Sequence, residues 1–495
     1  MIELEYMIAG ILLGICSLLY LFYLPMTRPK QFPPGPRGIP IVGSVHLIGQ
    51  HPHISFAKLA SKYGDVFSLK AFNKYFVIVN GYQAIKECHV QHGKIISGRP
   101  LKYMVRHLMG DQPTGIVNDL SCTPTWKAQR KMFNFAMKKM SANLRIDDII
   151  MTEAECVVNE LENMASADEA IDLANLLECG VLNVISGLLL GKRFDFNDPK
   201  MIYFVKLNQE FFRLATVERP TDSLPDIFPW ITKFWIPKKI IKLTETIKCI
   251  IDFCAEEVEE HKNKLDPENP VDFIDYSLIK ISQNSELTEE ALINTVTGLF
   301  QAGNESTTAT LRWGILLLSN NPEIQKKVHN EIDEIIGNKK AAKYNERSMM
   351  PYTEATMHEI LRFANVAHIG LPRDAVEDFY IRGYKIPKET TFILNLYSSH
   401  MQEDKWKNAS QFDPTNFIDE NGDFFKPDAF VAFSGGPRMC VAISQAKHEI
   451  FLFLVAILQK FCIKPEHEGE VYDLTPRPGL SLLPKHYKFR FIKRF

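Results

Sequence analysis

None of the nine cysteines in this 495-residue chain stands in a C-x-x-C pair. That absence excludes the usual signatures of zinc ribbons, iron–sulfur clusters and thioredoxin-like redox centres. An excess of positive charge is missing too. Lys and Arg number 57 against 59 Asp and Glu, for a formal net charge of −2, so the basic footprint of a nucleic-acid-binding domain is lacking and no nucleic-acid partner is expected. Gly/Ser-rich linkers, low-complexity tracts and internal repeats are absent as well, and 46% hydrophobic with 23% charged residues is ordinary globular composition. Length alone would allow more than one domain. Nothing in the composition divides the chain, and one large domain is expected.

A long apolar run stands out only at the N-terminus. From Met7 to Leu24 about 18 uncharged residues follow one another, enough to span ~27 Å at helical rise. Glu3 and Glu5 precede the run, while Arg28, Lys30 and Arg37 follow it. The positive-inside preference then puts the short N-terminus in the lumen and the rest in the cytosol. A cleaved secretory signal would carry positive charge ahead of the run and a small-residue site behind it; neither is present. Unpaired cysteines suit the reducing cytosol. The stretch Phe32-Pro33-Pro34-Gly35-Pro36-Arg37-Gly38-Ile39-Pro40 is too proline-rich for a helix or a central strand and should form a stiff elbow. The expected organisation is an anchor over residues 1–27, a basic, proline-rich hinge over 28–43 and a main domain over 44–495.

One cysteine has a distinctive setting. The stretch Phe433-Ser434-Gly435-Gly436-Pro437-Arg438-Met439-Cys440-Val441-Ala442 places Cys440 in a glycine- and proline-rich loop, directly ahead of an apolar-periodic segment that reads as a helix. Cysteine binds metal as the thiolate, and a helix start stabilises an anion through unpaired N–H groups and its positive dipole end. A lone thiolate suits haem. Gly435 and Gly436 would let the backbone pass close to a flat macrocycle, Arg438 could meet a propionate, and Phe433 could shield the sulfur from water. The other reading of these residues is a buried structural cysteine in a glycine-rich turn.

The pattern Phe-x-x-Gly-x-Arg-x-Cys-x-Ala, which includes Gly436 and Cys440, resembles the haem-binding loop of the cytochrome P450 superfamily, with Ala442 where glycine is more frequent. The proline-rich elbow is a second resemblance. Thr288 to Leu318 reads as one helix of ~45 Å, opened by a threonine and two acids and closed before Pro322. Midway, Ala302-Gly303-Asn304-Glu305-Ser306-Thr307-Thr308 crowds small and hydroxyl residues at some cost in helix propensity. Ala302 and Gly303 could open room over a flat cofactor, while the acid and hydroxyls could bond a diatomic ligand and relay protons. Hydroxyls back-bonding to carbonyls in a kinked buried helix are the alternative. The patch resembles the family's Ala/Gly-Gly-x-Asp/Glu-Thr motif, with Glu305 as the acid, Ser306 in place of the usual threonine and Thr307 able to share its task.

Three more matches complete the resemblance. Glu359-Ile360-Leu361-Arg362 is similar to the family's Glu-x-x-Arg, whose residues share a helix face and brace the cysteine loop. The arginine that normally joins that brace is replaced by Asn416 in Phe412-Asp413-Pro414-Thr415-Asn416-Phe417, which implies weaker haem retention, since an amide cannot replace a bidentate guanidinium. Trp126 with Arg130, and Arg373 in Leu371-Pro372-Arg373, match positions that hold haem propionates in the family.

The resemblance spans essentially the whole chain and looks closest to the microsomal drug-, fatty-acid- and steroid-oxidising group. It implies a mainly α fold with small β-sheets behind one membrane anchor helix, with haem b bound through Cys440. The implied activity is a monooxygenase at the endoplasmic reticulum membrane that inserts one oxygen atom of O2 into a lipophilic substrate. Nothing resembles a flavin or nicotinamide fold, so electrons are expected from a membrane-bound NADPH reductase, with cytochrome b5 as a further candidate donor. By family position the substrate pocket draws on residues 99–116, Phe211, Phe212, Phe300, Val366 to Leu371 and Gly479 to Leu482, a largely apolar set.

Overall fold

The computed structural model describes Gly10, residues 12–14 and residues 28–495, except for 40–41, 73, 112–113, 144, 166–168, 217–219 and 339. The expected fold class holds: mostly helices, with three small sheets. The helices needed below are α1 (Pro52–Tyr63), α2 (Tyr82–Val90), α3 (Tyr103–Met109), α4 (Pro124–Ala142), α5 (Arg145–Ala165), α6 (Ala174–Leu190), α7 (Pro199–Ala215), α8 (Lys238–Lys264), α9 (Phe273–Ile281), α10 (Glu289–Asn320), α11 (Pro322–Ile335), α12 (Pro351–Ala364), α13 (Leu396–His400) and α14 (Ile443–Lys460).

Helix α10 is the axis of the molecule. Thr288 caps it by accepting the Ala291 N–H at 3.1 Å, and Glu289 and Glu290 face the positive dipole end in the first turn. Asn321, ahead of Pro322, ends it. Its 32 residues run about 48 Å. It packs against α6, α8, α12 and α14. Most of the C-terminal half is core, with Leu311, Leu316, Leu317 and Leu318 wholly buried. Gly314 lets α14 and α12 close in, since a Cβ there would stand 2.9 Å from Leu454 Cδ2 and 3.2 Å from Ile360 Cδ1.

The largest sheet has the order β1 (Val66–Ala71), β2 (Lys74–Val79), β6 (Thr391–Leu394), β3 (Arg373–Asp374); β2 and β6 run parallel and the other pairs antiparallel. Strands β4 (Phe379–Ile381) and β5 (Tyr384–Ile386) form a hairpin, and β7 (Phe461–Pro465) pairs with β8 (Phe489–Lys493). The elbow expected around residues 32–40 has no regular secondary structure over residues 32–38 and is tied to β1: the Ser68 N–H donates to Pro34 O at 2.6 Å and the Ser68 hydroxyl to Pro33 O at 2.7 Å. Among the described residues no helix is long and apolar enough to cross a membrane. The anchor expected over residues 7–24 lies outside them, apart from Gly10 and 12–14.

Candidate active site

Cys440 lies between a short 3-10 turn (Gly436–Arg438) and the start of α14, whose N-cap is Ala442. Its own N–H donates to Phe433 O at 3.1 Å, which closes the loop on itself. Burial pushes the thiol pKa up, opposed by the Ala442 N–H aimed at the sulfur and by the Arg130 charge. The residue nevertheless has an exposed surface. Deep placement and an open surface coexist where a loop faces an internal cleft.

The loop's glycines are required by His89 on α2. Gly436 has φ +68°, and a Cβ on it would meet His89 O at 2.8 Å; a Cβ on Gly435 would stand 2.6 Å from His89 Nδ1. Burial, with the nearby Arg373 charge, lowers the His89 pKa to about 3, so the ring is neutral. Its Nε2 shares a hydrogen bond with the Ser434 hydroxyl at 3.2 Å, and Ser434 Oγ accepts from Arg373 Nη2 at 2.8 Å. His89 gave no signal in sequence, being one histidine on an ordinary amphipathic helix.

Three guanidinium groups surround this loop. Arg438 donates through Nε to Ser97 O at 2.8 Å and through Nη2 to Asp119 O, while its Nη1 is buried without a partner. Arg373 donates through Nη2 to Ser434 and Gly435, and its Nη1 is likewise buried and unpartnered. Burial, opposed by Cys88 and reinforced by the Arg438 charge, brings the Arg373 pKa down to about 10. Arg130 donates to Met439 O at 3.0 Å. Buried guanidinium N–H groups without acceptors are costly unless an anion meets them.

The indole of Trp126 lies between Arg130 and Arg438, their guanidinium carbons 5.2 and 4.7 Å from its ring centre. Its N–H does not point at an open site, as the sequence reading expects of a propionate donor; it donates to Ile116 O at 3.0 Å. The Ile116 N–H in turn donates to Thr295 Oγ1 on α10 at 3.3 Å, and the Thr295 hydroxyl donates to Gln129 Oε1 at 2.5 Å. Helix α4 thus touches both the cysteine loop and α10.

On α10 the small-residue patch divides by face. Ala302 and Ser306, one turn apart, are exposed although their neighbours Asn304 and Thr307 are buried. The Ser306 hydroxyl donates to Ala302 O at 2.7 Å. Two expectations need correction here. Gly303 does not open the same face: it meets α6, where a Cβ would be 3.0 Å from Ile185 Cδ1. Thr307 is only 3% exposed and cannot stand beside Ser306, because successive helix residues are separated by about 100°. Glu305 is half-buried, and burial together with Glu178 lifts its pKa to about 7 against the opposing charges of Arg312 and Arg477. Glu178 on α6 was not foreseen. The available signal was its status as the one charged residue between Leu176 and Leu190.

The Glu359–Arg362 pair is fully buried and two-pronged, at 2.7 and 2.6 Å. Arg362 also donates to His400 O, Ala409 O and Gln411 O at 2.7, 2.8 and 2.8 Å. Asn416 reaches Glu359 Oε1 through Nδ2 at 3.4 Å and accepts the Lys407 N–H at 2.9 Å. These bonds tie α12 to the chain leading toward the cysteine loop.

Residues 33–491 match the Cytochrome P450 family. The chain belongs to the cytochrome P450 family. It is 35% identical to cytochrome P450 2C25 of Mesocricetus auratus, over 97% of this chain and 98% of that protein. It is also 35% identical to cytochrome P450 2C23 of Rattus norvegicus, covering 97% of each chain, and to cytochrome P450 2C8 of Homo sapiens, covering 96% and 97%. This cytochrome P450 is therefore a monooxygenase that carries haem b, uses O2 and a redox partner reductase, and acts on lipophilic substrates. The donor set of the structure itself fits the group: an exposed cysteine in a glycine loop, and two buried arginines each with an unpartnered N–H group suited to a carboxylate.

Proposed function

We propose that the Cys440 thiolate would hold the haem iron, that Arg373, Arg438 and Arg130 would neutralise the propionates, and that the Ala302–Ser306 face of α10 would border the space where O2 is handled. The bound haem thiolate supplies the chemistry that splits O2, placing one atom in a C–H bond or alkene of the substrate and releasing the other as water. The chain's own residues do the rest. The Ala442 N–H stabilises the sulfur's negative charge, and the Gly435–Gly436 backbone keeps bulk away from it. Ser306 holds a hydroxyl on the open face, positioned by its hydrogen bond to the Ala302 carbonyl. Glu305, with a pKa near neutrality, can hold or release a proton within the same turn. The single observation that carries this reading is the pair of unpartnered Arg373 and Arg438 N–H groups around the loop that presents Cys440.

We further infer that the enzyme works at the endoplasmic reticulum membrane as a single-pass protein, with residues 1–27 as anchor, 28–43 as hinge and 44–495 as a cytosolic catalytic domain. Electrons then come from a membrane-bound NADPH reductase, with cytochrome b5 as a second donor. Support comes from an exposed apolar band at Trp230, Phe234, Trp235 and Ile241, 62, 82, 46 and 44% exposed, interleaved with exposed Lys233, Lys238 and Lys242. Aromatic residues with lysines at their edge suit a bilayer interface. The hinge leads to the same side: Phe72 touches Phe228 at 5.9 Å and its N–H donates to Val42 O at 3.2 Å. For substrates, the 33–35% likeness to proteins named in the 2C group supports lipophiles such as steroids, fatty acids and xenobiotics.

A carbon monoxide difference spectrum of reduced membranes tests the site. Wild type gives the thiolate band and Cys440→Ala loses both band and turnover; an unchanged band in that variant overturns the assignment. Reductase-supported NADPH consumption with a panel of lipophiles then separates a monooxygenase from an isomerase, a dehydratase or a non-catalytic haem binder.

A further inference from the structure

A groove of about 390 Å³ lies between α4 and the chain that runs from the end of α9 to the start of α10. Sequence dictates both walls. On α4, Ala128, Met132 and Phe135 recur at helical spacing and share one face. Opposite them, Asn284 Oδ1 accepts the Glu286 N–H at 2.9 Å and Asn284 O accepts the Leu287 N–H at 3.2 Å, a turn that tucks Leu287 inward. Ala128, Met132 and Leu287 are buried and form the base. Phe135 stands at one end, its ring edge-on to Tyr276 at 6.1 Å. Trp126 and Arg130, the α4 residues nearest the cysteine loop, are each about 200° around the helix from Ala128. The groove is therefore on the other side of α4 from the candidate active site.

Its rim is cationic. Lys127, Lys131 and Lys280 line it against a single carboxylate, Glu286. Lys127 and Lys131 are exposed and one turn apart, and among the described residues neither ammonium group makes an ion pair or a hydrogen bond. Like charges at that spacing weaken a helix slightly, so this pair contributes nothing to the fold. Lys280 leans over the Phe135 ring, its Nζ 4.9 Å from the ring centre, and donates to Gln283 Oε1 at 3.1 Å. Lys127 and Phe135 are separated by about 12 Å along the helix, the reach of a medium-length alkyl chain. A concave site of this volume, with an apolar base and a few polar groups converging at one edge, has the form of a small-ligand pocket. Its charge selects an anionic head, and Glu286 disfavours a second negative group.

We propose that this groove is a peripheral ligand site for a free monoanionic amphiphile of the medium-chain carboxylate class. The head lies between Lys127 and Lys131, and the tail runs over Ala128, Met132 and Leu287 toward Phe135. Occupancy is independent of the substrate cavity.

The test is isothermal calorimetry of the haem-loaded full-length enzyme in phosphatidylcholine nanodiscs, with the heat of empty discs subtracted. The iron is first saturated with phenylimidazole to close the substrate cavity, and decanoate, decanol and decylamine are then titrated below their micellar concentrations. Decanoate should bind one-to-one and about three- to tenfold more tightly than decanol, the range of one or two exposed ion pairs, with decylamine weakest. Lys127→Gln/Lys131→Gln should bring the decanoate-to-decanol ratio to near one. Ala128→Met, which fills the base of the groove, should weaken both by the same factor; Leu287→Ala serves if that variant loses its thiolate–CO band. Heat no larger than that of empty discs, equal wild-type affinity for decanoate and decanol, a preference that survives in the double variant, or binding seen only without phenylimidazole would each overturn the proposal. So would absent decanoate binding together with weakened reductase affinity in the double variant, which would give the lysines to a protein partner.

Discussion

Glu359 and Arg362 meet through two short hydrogen bonds, and neither side chain has any exposed surface. Three carbonyl acceptors complete the guanidinium's surroundings. Desolvation, the largest influence, raises the Glu359 pKa, opposed by Arg362, the Asp413 N–H and Asn416. The interaction is thus a rigid five-bond junction rather than a surface pair. Arg362→Lys keeps the charge but cannot fill a planar fork. It should destabilise the fold by about 3–5 kcal/mol, the range for breaking a buried pair. Lower urea midpoints together with a diminished thiolate–CO band are expected; a midpoint like wild type would contradict this.

Asn416 changes the expectation drawn from its identity. In sequence it is only a missing arginine, which implies a weaker brace. In the fold it is 4% exposed, donates to Glu359, and accepts the Lys407 N–H in the same loop. Asn416→Ala removes both bonds and leaves the Lys407 N–H without its acceptor, so a loss of about 1–3 kcal/mol is expected. Differential scanning fluorimetry of the haem-loaded protein would show it as a lower Tm. Asn416→Arg must bury a second guanidinium against a carboxylate oxygen that already accepts from Arg362 and Asp413. Haem occupancy of the arginine variant decides between the two views: a rise supports the sequence reading, and no rise supports the asparagine as a working substitute.

The two hydroxyl candidates on α10 separate cleanly. Ser306 is on the open face with its hydroxyl on Ala302 O, whereas Thr307 is buried. Ser306→Ala should leave folding intact and raise the NADPH consumed per product formed, because a positioned proton carrier contributes about 10²–10⁴-fold to proton transfer. Thr307→Ala should act mainly through packing. Measuring coupling ratio and Tm for both variants tests this, and a coupling defect confined to Thr307→Ala would reverse the assignment.

Local periodicity and motif spacing made the long helix, the cysteine loop and the Glu359–Arg362 pair legible, because each depends on residues close in sequence. Thr288 and Asn321 bound α10 where the cap chemistry puts the ends. The failures are tertiary. Gly303 packs on Ile185, and the Trp126 N–H is taken by Ile116 O; both partners lie far along the chain or in a loop with no motif. His89, which holds Gly435, Gly436 and Ser434 in place, acts across 345 residues and has no spacing signature. Whether a small residue opens a cleft or admits a neighbouring helix is a matter of which face it occupies, and a motif does not state the face.

A final prediction concerns Glu449, buried in the middle of α14 at 5% exposure with Oε1 lacking any partner. Burial alone raises its pKa well above the usual carboxylate value, so the folded protein holds it as the neutral acid. The sign follows from linkage. The unfolded chain releases this proton near pH 4.3 while the folded chain retains it, so unfolding is favoured progressively as pH rises above that value, by up to about 1.4 kcal/mol per pH unit until the folded group also ionises. Glu449→Gln keeps the shape and removes the titration. Its stability relative to wild type should therefore increase from pH 5 to pH 7, read as a widening gap in Tm. A constant gap across that range would mean that the carboxyl is charged in the fold and paired through its second oxygen.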